Sequence, residues 1–190
     1  MSAVVEVRRY TGADNAPETN NVLATGTQLA VADQHLAVGS AVDPVPVPTS
    51  GISYSFWCSM RLHVTTPPAG TLSNVRVWFL DRDRTLDAPG IIWLGQRANV
   101  APNAGYRQAQ GDVGVSGVPL SLANNTGLVA EVVDPLTWVS TAPLNLGGTI
   151  STPSTGPVGD FVVVQRGLTS AYPVTGELPA EALQWAWDET

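Results

Sequence analysis

The side chains able to do chemistry fall into small groups, and their spacing decides what each can do. The run DRDRTLD sets Asp81, Asp83 and Asp87 in a pattern that resembles the start of a calcium loop. An EF-hand loop needs glycine at its sixth position and a bidentate glutamate at its twelfth. Leu86 and Ile92 stand there instead, so the segment reads as a solvated turn with Asp–Arg pairs, which contribute little when exposed. Asp188 and Glu189 are adjacent, and neighbours on a strand point to opposite faces, so they do not converge on one substrate or metal. His35, His63 and Cys58 are too few and too scattered for a zinc set. The stretch GVSGV at Gly114–Val118 departs from the G-x-S-x-G turn that exposes a nucleophilic serine. The expectation is a non-enzymatic protein with no catalytic, cofactor-binding or metal-binding residues.

Tryptophan is the remaining chemistry, with 6 residues in the chain. Trp57, Trp78, Trp185 and Trp187 would make a flat sugar-binding row if their strands were neighbours and the rings exposed. The competing use is packing, in a core or at a subunit interface, where tryptophan is also enriched. The segment EALQWAWDET poses that choice most sharply. As a strand it puts Leu183, Trp185 and Trp187 on one side and Gln184, Ala186 and Asp188 on the other. As a helix it would start near Pro179 and align Leu178, Ala182 and Trp185.

Composition narrows the partners. The 190 residues carry a net charge of −7 with only 13% charged side chains, and all 9 basic residues are arginine. That balance lacks the cationic stripe a nucleic-acid surface needs, so no nucleic-acid partner is expected. The lone cysteine, Cys58, forms no disulfide within the chain and reads as a small buried hydrophobe. MSAVVEVRRYTG places its apolar run before its arginines, the reverse of a secretory leader, and no apolar run reaches membrane-spanning length. The expectation is synthesis in a reducing cytosol, no export by a leader of its own, and no membrane partner.

The elements that would position these residues are strands. With 15 prolines and 18 glycines spread along the chain, long helices are disfavoured and short strands between turns are favoured. SFWCSMRLHV alternates Phe56, Cys58, Met60, Leu62 and Val64 against Trp57, Ser59, Arg61 and His63, a half-buried strand. VRVWFL repeats the pattern with Val75, Val77 and Phe79 opposite Arg76 and Trp78, and the two runs read as neighbouring antiparallel strands. AVVEVRRY, QLAVA, GIIWLG, GLVAEVV, PLTWVS and DFVVVQRGL are further strand candidates, and LNLGGTISTPSTGPVG reads as a turn-rich loop. DPVPVPTSG is extended but barred by its prolines from the middle of a sheet. The prediction is all-β: one domain over 1–190, a two-layer antiparallel β-sandwich of jelly-roll type with long loops and an extended Pro-rich arm. Extended segments fall near 13–50 and 96–118. The core is assigned to Phe56, Cys58, Met60, Leu62, Val75, Val77, Phe79, Trp185 and Trp187. Pro44, Val45, Pro46, Val47, Pro48, Tyr106 and Arg107 are assigned to contacts with other subunits.

Several of these stretches, in this order, resemble a family of tailed-phage virion structural proteins. The residues concerned are RRYTG at Arg8–Gly12, the Asn20–Asn21 pair, YSFW at Tyr54–Trp57, SNVRVWF at Ser73–Phe79, FVVVQ at Phe161–Gln165 and WDE at Trp187–Glu189. The chain departs from the family pattern at LDRDR, where an Asp-Gly turn is common, and at Trp187, where a tyrosine is common. The resemblance implies a β-sandwich virion component and favours the strand reading of the last segment, with Leu183, Trp185 and Trp187 sealing one sheet against its partner. It brings no catalytic residues. Joined to the acidic, lysine-free, weakly charged composition, which fits the outside of a particle rather than packaged DNA, it gives the expectation of a capsid decoration (cement) protein on the outer face of the shell, alternatively a tail, neck or fibre-base component. A carbohydrate-binding β-sandwich module on the virion surface is the rival. The expected partners are the major capsid protein or other virion subunits, with copies of itself in a homo-oligomer. The expected location is the virion, after synthesis in the host bacterial cytoplasm.

Overall fold

The strongest alternation in the sequence folds as its period dictates. Cys58–Thr66 is an extended strand whose Cys58, Met60, Leu62 and Val64 are buried together in one apolar cluster. The computed structural model describes residues 2–10, 21–24, 29, 45–55, 58–80, 90–97, 128–133, 138–171 and 182–190, and every regular element among them is a β-strand. In chain order these are β1 (Val4–Tyr10), β2 (Asn21–Leu23), β3 (Ile52–Tyr54), β4 (Cys58–Thr66) and β5 (Thr71–Leu80). They continue with β6 (Gly90–Arg97), β7 (Leu128–Val133), β8 (Leu144–Ser151), β9 (Gly156–Thr169) and β10 (Ala182–Glu189).

The strands form two antiparallel sheets. The larger runs β2-β1-β4-β9-β6-β7, with β3 also paired to β9; the smaller runs β10-β5-β8. One apolar cluster draws on both: Cys58, Met60, Leu62, Val64, Val158, Val162 and Val164 from the large sheet, and Leu72, Val75, Val77, Leu144 and Leu146 from the small one. Each such side chain contributes about 1.5–3 kcal/mol on full burial, so this shared cluster dominates the favourable side of folding. Leu183, Trp185 and Trp187 of β10 pack against it half-buried, as does Phe79. The last segment is therefore a strand, with its apolar alternation turned to the core.

Two sequence expectations need correction. First, β4 and β5 are not paired neighbours. β4 pairs with β1 and β9, whereas β5 pairs with β10 and β8. The TTPPAG connection carries the chain from one sheet to the other, and the apolar faces of β4 and β5 contribute to the cluster the two sheets share. Second, LNLGGTISTPSTGPVG is not a loop. Its first half is β8, with Leu144 and Leu146 buried, and β9 begins at Gly156 after a short connection. The glycines that suggest a turn serve a close approach between these strands. Gly148 has φ +83, and a Cβ there would lie 2.2 Å from the Gly159 nitrogen. Only a residue without a side chain fits both the backbone angle and the spacing.

Other segments differ in smaller ways. PLTWVS is not a strand where it is described: Trp138 lies outside regular structure and Val139 bridges back to Ala142 in a tight turn. DFVVVQRGL is the middle of the long β9, buried continuously from Phe161 to Leu168. β9 lies between β4 and β6, and burial on both faces explains its unbroken apolar run. Just after β3 the chain stays fastened to β9 through Ser55. There Ser55 N–H donates to the Arg166 carbonyl (2.8 Å), Arg166 N–H donates to Ser55 Oγ (3.0 Å), and the Gln165 side-chain amide donates to the Ser55 carbonyl (3.0 Å).

Candidate functional site

The cross-strand register assembles a polar cluster on the face of the large sheet away from the shared core. Tyr10 lies opposite Ser59, Arg8 opposite Arg61 and Glu6 opposite His63, while Ser59 lies opposite Val163 on β9. Period-two alternation puts these side chains on one face, with Phe161 and Gln165 beside them. Most of this face is buried: Tyr10 is 1% exposed, Arg61 4% and Gln165 0%. Its charged groups therefore need partners. Arg61 Nε donates to the Gly159 carbonyl at 2.7 Å, and its guanidinium sits 4.9 Å from the Phe161 ring centre. Phe161 and Tyr10 also meet in a T-shaped contact, with centroids 5.0 Å apart and planes at 81°. Such edge-to-face and cation–ring contacts fix ring positions as well as adding to stability. Arg8 pairs with Glu6 on the same strand at 3.1 Å.

Tyr10 and His63 form a pair with acid–base character within this cluster. The Tyr10 hydroxyl hydrogen-bonds to His63 Nε2. Burial, reinforced by the Arg8 and Arg61 charges and opposed by Glu6, lowers the His63 pKa from 6.5 to about 4. The imidazole is then neutral at neutral pH, and its Nε2 accepts the tyrosine proton in a hydrogen bond. A general base works best with a pKa near the operating pH and with access to substrate. The His63 ring is weakly basic and the Tyr10 phenol is buried, and their hydrogen bond ties β1 to β4.

A second polar group lies on the outer face of the small sheet. Asp188 of β10 accepts from Arg76 Nη2 at 2.5 Å and from the Asn74 side-chain amide at 2.8 Å, both on β5. The Asn74 hydrogen bond, helped by the Arg76 charge and hydrogen bond, holds the Asp188 carboxyl below the usual aspartate range, against the opposing effect of desolvation. Glu189 turns elsewhere and accepts from the Ala3 backbone N–H at 2.9 Å. The two terminal carboxylates thus have separate partners and form no acid pair.

The sequence candidates are placed as follows. Cys58, Met60, Leu62, Val75 and Val77 are buried in the shared cluster, Cys58 as a free thiol. Phe79, Trp185 and Trp187 border that cluster half-buried. Phe56 lies outside the described residues, as do Pro44, Tyr106 and Arg107. Along the Pro-rich stretch, Pro46 and Val47 are exposed, Val45 is half-buried and Pro48 is buried. Trp78 alternates onto the face of β5 that carries Arg76, opposite to the face where Trp185 and Trp187 meet the core, so these three rings do not form one row. Among the described residues, no three His, Cys, Asp or Glu side chains gather as a metal site, and no helix is long and apolar enough to cross a membrane.

Sequence reading missed the buried polar residues Arg9, Arg61, Arg166 and Gln165. For Gln165 and Arg166 a signal existed: they continue an unbroken apolar run, the mark of a strand covered on both sides. Arg61 carried no such signal, because an arginine alternating with apolar residues reads as solvent-facing. Comparison with protein-family models, curated proteins and solved structures finds no match to this chain.

Proposed function

We propose that this chain is a non-enzymatic structural protein of a tailed-phage virion, acting through shape and contact area. Within that class we assign it to capsid decoration, bound to the outer face of the shell. We read its two sheets as the layers of a jelly-roll-like β-sandwich. The observation that carries the reading is the ordered set of stretches that resemble the virion family, together with how those stretches meet in space. Tyr10 of RRYTG packs on Phe161 of FVVVQ, and Asn74 and Arg76 of SNVRVWF bind Asp188 of WDE. The resembling residues thus join strands of one framework, which suits a scaffold whose task is to hold surfaces in place. The net charge of −7 without a single lysine supports a position outside the particle, away from packaged DNA.

The test uses purified shells that lack the protein. Added protein should co-sediment with them saturably and appear as repeated density on the outer surface by electron microscopy. Density confined to the neck, tail or fibre base would move the assignment to the alternative structural role. Absence from every virion layer, by imaging and by mass spectrometry of particles, would reject the reading. A glycan array addresses the carbohydrate-binding rival, which the division of Trp78 from Trp185 and Trp187 onto opposite faces disfavours.

A further inference from the structure

We infer that β10 is a self-pairing edge, whose occupant is the β10 of a second copy of this chain in an antiparallel, two-fold arrangement centred on Trp185. The inference concerns the isolated chain and stands apart from the virion assignment. Among the described residues β10 pairs with β5 alone, and no described strand takes its other edge. Open edges are normally guarded by proline, lysine, an inward charge or a bulge. Ala182–Trp187 contains none of these. The register irregularity of this pair falls on β5, where Ser73 to Arg76 spans three steps against two from Ala186 to Asp188, and Asn74 takes φ +52. β10 therefore keeps an uninterrupted alternation. Leu183, Trp185 and Trp187 share one face, are only half-buried, and lie on the outermost strand of the sheet.

The side-chain order selects both the partner and the register. Opposed residues in an antiparallel pair share a face. Centring the pair on Trp185 sets Trp185 opposite itself, Leu183 opposite the partner's Trp187, Gln184 opposite the partner's Ala186, and Ala182 opposite the partner's Asp188. Leu183, Trp185 and Trp187 then face only one another, the small Ala182 and Ala186 meet Asp188 and Gln184, and no like charges meet within the seven pairs. A register centred on Ala186 would set Leu183 against a glutamate, and one centred on Gln184 would leave Trp187 unpaired. The self-complementary run Leu-x-Trp-x-Trp is thus the feature that fits a second copy. The joined sheet would run β8-β5-β10-β10-β5-β8, with the two apolar faces continuous across the axis.

The experiment measures mass by light scattering or sedimentation across a concentration series, with two double substitutions that read the register. Gln184→Lys with Ala186→Lys sets two ammonium pairs face to face across the axis. Gln184→Glu with Ala186→Lys replaces each clash by an opposite-charge pair. The wild type should show a concentration-dependent dimer. The first variant should weaken it about tenfold or more, and the second should retain it. Hydrogen exchange on the wild type gives a reading that needs no substitution: β10 amides should exchange more slowly at high concentration than at low. A wild type monomeric throughout, a dimer insensitive to the Lys/Lys change, or β10 exchange independent of concentration would overturn the inference.

Discussion

The close passage of β8 over β9 offers a sharp test, because two adjacent glycines there share one backbone peculiarity and differ in a second. Gly147 and Gly148 both have left-handed φ, at +61 and +83. A methyl group at 147 would meet nothing within 4 Å, whereas at 148 it would lie 2.2 Å from the nitrogen and 2.5 Å from the Cα of Gly159. Gly147→Ala should therefore cost only the left-handed penalty of an L-residue, about 1 kcal/mol. Gly148→Ala adds the separation of two backbones inside a packed region, where overpacking typically costs about 1–3 kcal/mol, for a total of about 2–4. Against a typical total stability of about 5–15 kcal/mol, the second change removes a substantial share. Urea unfolding followed by tryptophan fluorescence reads both variants, with the midpoint shift taken at constant m. For a chain of this size the thermal midpoints should fall by about 2–4 °C for Gly147→Ala and about 5–15 °C for Gly148→Ala. Gly148 is exposed to solvent, so a reading based on exposure alone expects two mild and equal effects. Equal losses in the two variants would refute the account of why β8 carries these glycines.

Two further predictions concern titration. The folded chain protonates His63 at about 4 and the unfolded chain near 6.5, so between those values the unfolded state binds more protons. The stability tied to neutral His63 is complete above pH 6.5, declines as the pH falls towards 4, and levels off below. His63→Gln, which keeps an acceptor for Tyr10, should flatten that decline when urea midpoints at pH 7.5 and 4.5 are compared; an unchanged decline counts against it. For Asp188 the depressed pKa means that its contribution is present above the unfolded value and is lost as the pH drops through the folded one. Asn74→Gly keeps the left-handed backbone at that position and removes the side-chain donor, so the Asp188 carboxyl resonance should titrate at higher pH than in wild type. An unmoved NMR titration would mean that Arg76 alone holds the charge.

The local period of two was enough to make Cys58–Thr66 a strand and to divide its faces, because alternation follows from the pleat of a single chain. It also set Val75, Val77 and Phe79 on one side of β5, and it offered the strand form that the last segment adopts. Pairing was not legible in the same way. β4 and β5 are adjacent in sequence and carry matching stripes, yet they lie in different sheets, since stripes alone do not say whether two apolar faces sit side by side or meet across a core. β8 was hidden for another reason: its glycines answer to the position of β9, and nothing within the segment announces that constraint. The polar cluster depended on tertiary structure most of all. Tyr10, the Arg61 and His63 pair of β4, and Phe161 come from three distant parts of the chain, and each reads locally as an ordinary strand residue. Where alternation is strong, as in β4, β5 and β10, sequence alone determined which way the side chains point along the strand. Only the fold decided which pointing directions are buried, because burial is set by whatever distant strand or segment comes to cover that face.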